Sequence, residues 1–121
     1  MQQPYPPILV GGSGRGLLRI AARHADIANI ILEAGSVGRL KLANFAKVTD
    51  DLYKEKIRFL RDEARRQGRD PKAIRISSAI FSVTLTESRA ATEASARDMA
   101  STFGSSVEEI LRSPLSLIGT H

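Results

Sequence analysis

At 121 residues, with 42% apolar and 26% charged side chains, the chain has room for a single domain with a core and not for two. With no cysteine, it carries neither a disulfide scaffold nor a thiolate metal site, and the redox compartment stays open. The formal charge of +5 is spread along the chain beside two tyrosines, four phenylalanines and no tryptophan, so neither a base-stacking platform nor a recognition helix is present and no nucleic-acid partner is expected.

No apolar run approaches the roughly 20 residues of a membrane span. Met1 to Pro7 has no basic segment followed by an apolar one, so it does not read as a secretory signal. The expected location is cytoplasmic, with no membrane contact.

Ile8-Leu9-Val10 reads as a short buried strand whose start is limited by Pro7. Gly11, Gly12, Ser13 and Gly14 then form a turn, and Arg15 to His24 reads as a helix. Leu17, Leu18, Ala21, Ala22 and Ala25 recur at helical spacing and make its inner face, while Arg15, Arg19 and Arg23 form a stripe on another. Arg19 and Arg23 read as a solvated face. Arg15 sits in the first turn, where a cation opposes the helix dipole, so a nearby anion would account for it.

Ala25 to Leu32 has no helical period and reads as a second buried strand. A ten-residue helix between two apolar strands is a βαβ unit of a parallel sheet. Glu33 to Lys47, with Gly35 and Gly38, reads as a loop with a helical turn around Leu40 to Phe45.

Thr49 or Asp50 is expected to cap a helix over Asp51 to Gln67, with Leu52, Tyr53, Ile57, Leu60 and Ala64 inward and Asp50–Lys54 and Asp62–Arg66 as ion pairs. Gly68 suits its C′ position, and Asp70-Pro71 starts a turn. Ile74 to Leu85 reads as one third strand, and Ser88 to Phe103 as a helix ending at Gly104. Ser105/Glu108 and Ser106/Glu109 both have capping-box spacing before a short helix to about Arg112. Pro114 stops it, and Leu115 to Thr120 reads as a fourth strand.

Alternating elements of this kind define an α/β protein with parallel strands, adjacent in chain order and joined by crossover helices. An open doubly wound sheet and part of a (β/α)₈ barrel both satisfy the order.

The glycine turn carries the chemistry. Backbone N–H groups at a helix start, with the positive end of the dipole, make an anion site. The turn lacks the Lys-Ser/Thr ending of a P-loop. Leu17 stands where a dinucleotide fingerprint needs its last glycine, and no acidic residue stands at a strand end about twenty residues on, Glu33 being the nearest to that position. A phosphate cradle and a tight packing turn are therefore the two readings.

Elsewhere the chemistry is sparse. His24 and His121 are the only histidines and make no metal site; His24 reads as a packing or surface residue. Asp26 reads as the junction of helix and strand, with a pocket acid as the alternative. Ser77, Ser78 and Ser82 are strand hydroxyls that could face a ligand. No catalytic triad and no close carboxylate pair points to hydrolysis.

Pro6-Pro7-Ile8-Leu9-Val10-Gly11-Gly12-Ser13-Gly14, followed by Leu18-Arg19-Ile20-Ala21-Ala22-Arg23-His24-Ala25-Asp26, closely resembles the luciferase-like monooxygenase superfamily. Gly68-Arg69-Asp70-Pro71 before a strand, and Ser113-Pro114 leading to Leu117-Ile118-Gly119-Thr120, are similar to its later segments in the same order.

The resemblance implies the second half of a (β/α)₈ TIM-type barrel. It also implies an oxidoreductase, of monooxygenase or hydride-transfer class, that uses coenzyme F-420 (a deazaflavin) or FMN and acts on a small-molecule substrate. It assigns the cofactor phosphate to the backbone of Gly11, Gly12, Ser13 and Gly14, with Arg15 beside them. No catalytic residue is assigned.

A complete barrel takes about 250 residues. The expectation is accordingly a single partial barrel domain over residues 1–121, truncated at both ends and without the family's first strands. The alternative is a catalytically silent half-barrel acting as an oligomerising or interaction fragment. Unpaired sheet edges make a homo-oligomer, or pairing with the missing barrel half, the expected assembly.

Overall fold

The computed structural model describes residues 5–31, 48–80 and 82–120. They form β1 (Leu9–Gly11), α1 (Arg15–His24), β2 (Ile27–Asn29), α2 (Asp50–Arg66), a 3-10 turn (Pro71–Ala73), β3 (Arg75–Ser77), β4 (Ser82–Thr86), α3 (Arg89–Phe103), α4 (Val107–Arg112) and β5 (Ser116–Thr120). The loop expected over Glu33 to Lys47, with its turn around Leu40 to Phe45, and the terminal His121 lie outside the described residues. The chain divides into two compact units, Met1–Leu32 with Tyr53–Ala79 and Glu33–Leu52 with Ile80–His121.

The first unit holds a parallel sheet in the order β1-β2-β3, so its strands neighbour each other in chain order as expected. Leu18, Ala21 and Ala22 of α1, with Ala25 just after it, pack with Leu60 and Ala64 of α2, and with Ala28 and Ile74. Val10 and Ile76, level with Ala28 in the register, close this core from the sheet. Burying Leu18 or Leu60 contributes about 1.5–3 kcal/mol each.

The strands are shorter and less buried than their sequence suggests. Ile8 and Leu9 are exposed, and Leu17, expected inward, is 44% exposed and folds back over Gly12. The second apolar run contributes only Ile27–Asn29 to the ladder. Ala25 ends α1 by donating its N–H to Ala21 O, and Ile30 N–H donates to Ser77 O just past the ladder.

Thr49 Oγ1 accepts the Leu52 N–H at 3.3 Å and so supplies the α2 cap. At the other end Gly68 adopts φ +72°, which lets Arg69 N–H reach back to Ala64 O at 2.9 Å. The expected Asp62–Arg66 pair is replaced by two pairs three residues apart, Arg65–Asp62 at 2.6 Å and Arg66–Glu63 at 2.9 Å. Glu63 is buried, a placement its charge did not foretell.

The single strand expected over Ile74 to Leu85 is two strands in two sheets. β3 pairs with β2, and β4 pairs in parallel with β5. The run has strand-forming residues throughout, but a ladder extends only as far as its partner, and β2 is three residues long.

In the second unit Ala96, Ala100 and Ile110 form a small core, with Met99, Phe103, Val107 and Ile118 packed against it. Ser88 caps α3 and Gly104 ends it in the left-handed region at φ +64°. Of the two capping-box spacings, Ser106/Glu109 is the one formed. The Ser106 backbone N–H, and after it the Ser106 hydroxyl, hold Glu109 below the ordinary carboxylate range. The stabilisation of α4 from this box is therefore complete above the unfolded carboxylate pKa and is lost as pH falls through the lowered one. NMR shifts of Ser106 and Glu109 in an acid titration should report that loss before α3 changes.

Val83 and Leu85 share a sheet face with Leu117 and are 63%, 74% and 52% exposed. Ser116 sits on the opposite face, with its hydroxyl donating to Ile110 O of α4. Ser82 is level with Ser116 and so shares the sheet face on which Ser116 meets α4. The two sheets alternate with helices in a partly barrel-like order, and no closed barrel is formed among the described residues.

Candidate anion-binding site

The glycine turn joins the carboxyl end of β1 to the start of α1, where parallel α/β proteins place ligands. Its four residues are not equivalent. Gly11 belongs to β1 and is exposed. Gly12 is the bend: its φ is +144°, and a Cβ there would lie 2.6 Å from Leu17 Cδ1. Its N–H donates to Asn29 O at 2.9 Å, so that amide serves the sheet and is unavailable to an anion. Ser13 is buried.

Gly14 is the N-cap residue, in ordinary extended backbone at φ −66° and ψ 141°, and no side chain caps the helix. Its carbonyl accepts the first helical bond, from Leu18 N–H at 3.0 Å. The amides of Arg15, Gly16 and Leu17 are therefore the ones a helix start leaves to an outside acceptor. Apart from neighbouring chain atoms, nothing among the described residues lies within 4 Å of where a Cβ would project from Gly14 or Gly16, so this side of the turn is open to an approaching group.

Arg15 finds a protein partner. Its guanidinium carbon lies 5.5 Å from the centre of the Phe59 ring, with that of Arg19 at 5.9 Å. The aromatic face accounts for a cation in the first turn without requiring an anion. Arg19, read as solvated, also approaches Glu63 at 3.8 Å.

Two side chains extend the site across the sheet. Gly11, Asn29 and Ser77 stand in register on β1, β2 and β3, on the face opposite Val10, Ala28 and Ile76. Asn29 Oδ1 and Ser77 Oγ are both buried without a hydrogen-bond partner among the described residues. Tyr53 Oη donates to the Ser77 carbonyl at 3.1 Å, which fixes the strand end and leaves the hydroxyl unclaimed.

Ser77 was among the three hydroxyls singled out from sequence. Ser78 is exposed beyond β3. Asn29 was missed; the signal was an amide inside the apolar run Ile27-Ala28-Asn29-Ile30-Ile31.

Asp26 is a junction. Its Oδ2 accepts the Ile8 N–H at 2.8 Å, its own N–H donates to Ile8 O at 2.9 Å, and its carbonyl accepts the Arg75 N–H at 3.0 Å. Arg69 reaches it at 4.0 Å and donates to Ala22 O at 3.4 Å. One aspartate thus ties β1 to β3 at the end away from the glycine turn.

No protein-family model and no curated protein matches the chain. Among solved structures it is similar to the crystal structure of DmoA from Hyphomicrobium sulfonivorans, with a TM-score of 0.51 and 23% sequence identity. The match covers 88% of this chain and 19% of that one, so the chain spans less than a fifth of that structure's length. At this identity the likeness is one of fold.

Proposed function

We propose that the chain is the cofactor-phosphate-binding part of a luciferase-like oxidoreductase, of monooxygenase or hydride-transfer class, that uses FMN or coenzyme F-420. The observation that carries this reading is the open, uncapped start of α1 at the carboxyl ends of three parallel strands. The fold likeness to DmoA, covering most of the chain, supports it.

The residues fit a phosphorylated flavin-type group. The amides of Arg15, Gly16 and Leu17 would take the phosphate, and Gly14 and Gly16 leave it room to approach. Gly11 and Gly12 serve by shaping the turn, since the Gly12 amide is spent on Asn29. Asn29 Oδ1 and Ser77 Oγ would bond polar groups of the same ligand, which would satisfy two buried oxygens left unpaired by the described residues. Once bound, the cofactor supplies the redox chemistry, and the protein positions it.

Titrating FMN and coenzyme F-420, followed by their own fluorescence, against this chain carried within a complete barrel tests the proposal. Saturable binding is expected, and Asn29→Leu should weaken it about tenfold while raising fold stability by about 1 kcal/mol, since it removes an unpaired acceptor. Parent-like affinity in Asn29→Leu would remove Asn29 from the site.

The exposed row of Val83, Leu85 and Leu117 favours a second reading, a half-barrel that binds another copy or the rest of a barrel. Parallel sheets are ordinarily covered on both faces. Sedimentation at micromolar concentration should show a dimer that Val83→Lys with Leu117→Lys dissociates; a parent monomer would rule out self-pairing.

A further inference from the structure

The far end of α1 carries a second cluster. Arg19, Ile20, Arg23 and His24 of α1, with Gln67 and Arg69 just after α2, line a cleft of about 540 Å³ within the first unit. No carboxylate is among these lining residues. Two carboxylates reach the cluster from its edge, Glu63 at 3.8 Å from Arg19 and Asp26 at 4.0 Å from Arg69, both at the limit of an ion pair. Glu63 is held more closely by Arg66, at 2.9 Å. Three arginines, Arg19, Arg66 and Arg69, therefore share two carboxylates, and Arg23 stands beside them.

Internal structure accounts for part of this cluster. Arg69 donates to the Ala22 carbonyl near the end of α1, and Arg19 lies over the Phe59 ring. Neither role extends to Arg23 or His24, which stand in the last turn of α1, where positive charge suits the helix dipole, and for whose side chains the described residues supply no hydrogen bond, ion pair or ring contact. Arg19 and Arg23 are four apart on one helix, a spacing at which like charges destabilise by a few tenths of a kcal/mol.

We propose that this cleft binds a phosphate-class dianion, either free phosphate or the phosphate of a small monoester. Arg69 is the anchor: its side chain is 25% exposed, and its one side-chain hydrogen bond among the described residues, at 3.4 Å, leaves most of its donors unfilled. Arg23 and His24 bring further donors from α1, and guanidinium groups match phosphate oxygens in pairs. Gln67 adds an amide, and exposed Ile20 offers an apolar wall for the carbon skeleton of an ester. The site is separate from the glycine turn, because ten residues of helix put roughly 15 Å between the ends of α1. It therefore stands whether or not the turn binds a flavin-type cofactor.

Backbone NMR of the full 121-residue chain, titrated with inorganic phosphate and with phenyl phosphate at constant ionic strength set by chloride, tests the proposal. Saturable shifts are expected at His24, Gln67 and Arg69. The double variant Arg23→Gln with His24→Gln should keep the fold and lose about tenfold in affinity, while Gly14→Val should leave this binding unchanged. Tighter binding of phenyl phosphate would identify an ester as the ligand class, and equal binding would identify phosphate itself. Shifts that fail to saturate, shifts confined to the glycine turn, or parent-like affinity in the double variant would overturn it.

Discussion

Gly14→Val is expected to unfold at the same urea concentration as the parent, within about 1 kcal/mol, yet to bind FMN or coenzyme F-420 at least about tenfold more weakly. The fold tolerates the change because Gly14 sits at φ −66° and ψ 141°, where any residue is comfortable, and beyond its chain neighbours no atom of the described residues lies within 4 Å of the new Cβ. A poorer N-cap residue costs a few tenths to 1 kcal/mol, and a less flexible unfolded chain offsets most of it. Binding does not tolerate it, because the branched side chain occupies the space through which a phosphate would reach the helix amides.

Gly12→Val is the contrasting variant. Its φ of +144° and the 2.6 Å approach to Leu17 Cδ1 make it a folding defect of about 1–3 kcal/mol, whatever binds nearby. Equal cofactor affinity in Gly14→Val and the parent would leave the turn with a packing role alone.

Asp26→Ala should destabilise the protein by about 1–2 kcal/mol, seen as a lower urea midpoint with an unchanged slope. The substitution removes the acceptor of the Ile8 N–H and the carboxylate that faces Arg69. The pair with Arg69 is long and partly exposed, so the hydrogen bond accounts for most of the loss. Asp26→Asn keeps an acceptor for Ile8 and should recover most of the stability. A complete barrel carrying Asp26→Asn should bind its cofactor as the parent does. Loss of binding with stability intact would instead make Asp26 a pocket acid.

The sequence by itself determined the features governed by neighbours in the chain. The bounds of α1, a cap for α2 at Thr49 or Asp50, the glycines that end helices at 68 and 104, and a capping box at Ser105 or Ser106 all follow from contacts a few residues apart, and the structure chose Thr49 and Ser106. Parallel pairing in chain order followed from the spacing of β1, α1 and β2, because a crossover of that length permits little else.

Tertiary structure decided the rest. Strand lengths depended on partners, which is why one apolar run became β3 and β4 in different sheets. Which amide of the glycine turn is available to a ligand depended on Asn29, seventeen residues away, whose carbonyl takes the Gly12 N–H. The unpaired oxygens of Asn29 and Ser77 became neighbours only through sheet register, and the basic cleft arose because α2 ends against α1. Local propensity fixes backbone conformation within a few residues, whereas burial and unsatisfied polarity are properties of surfaces that meet only after the chain has folded.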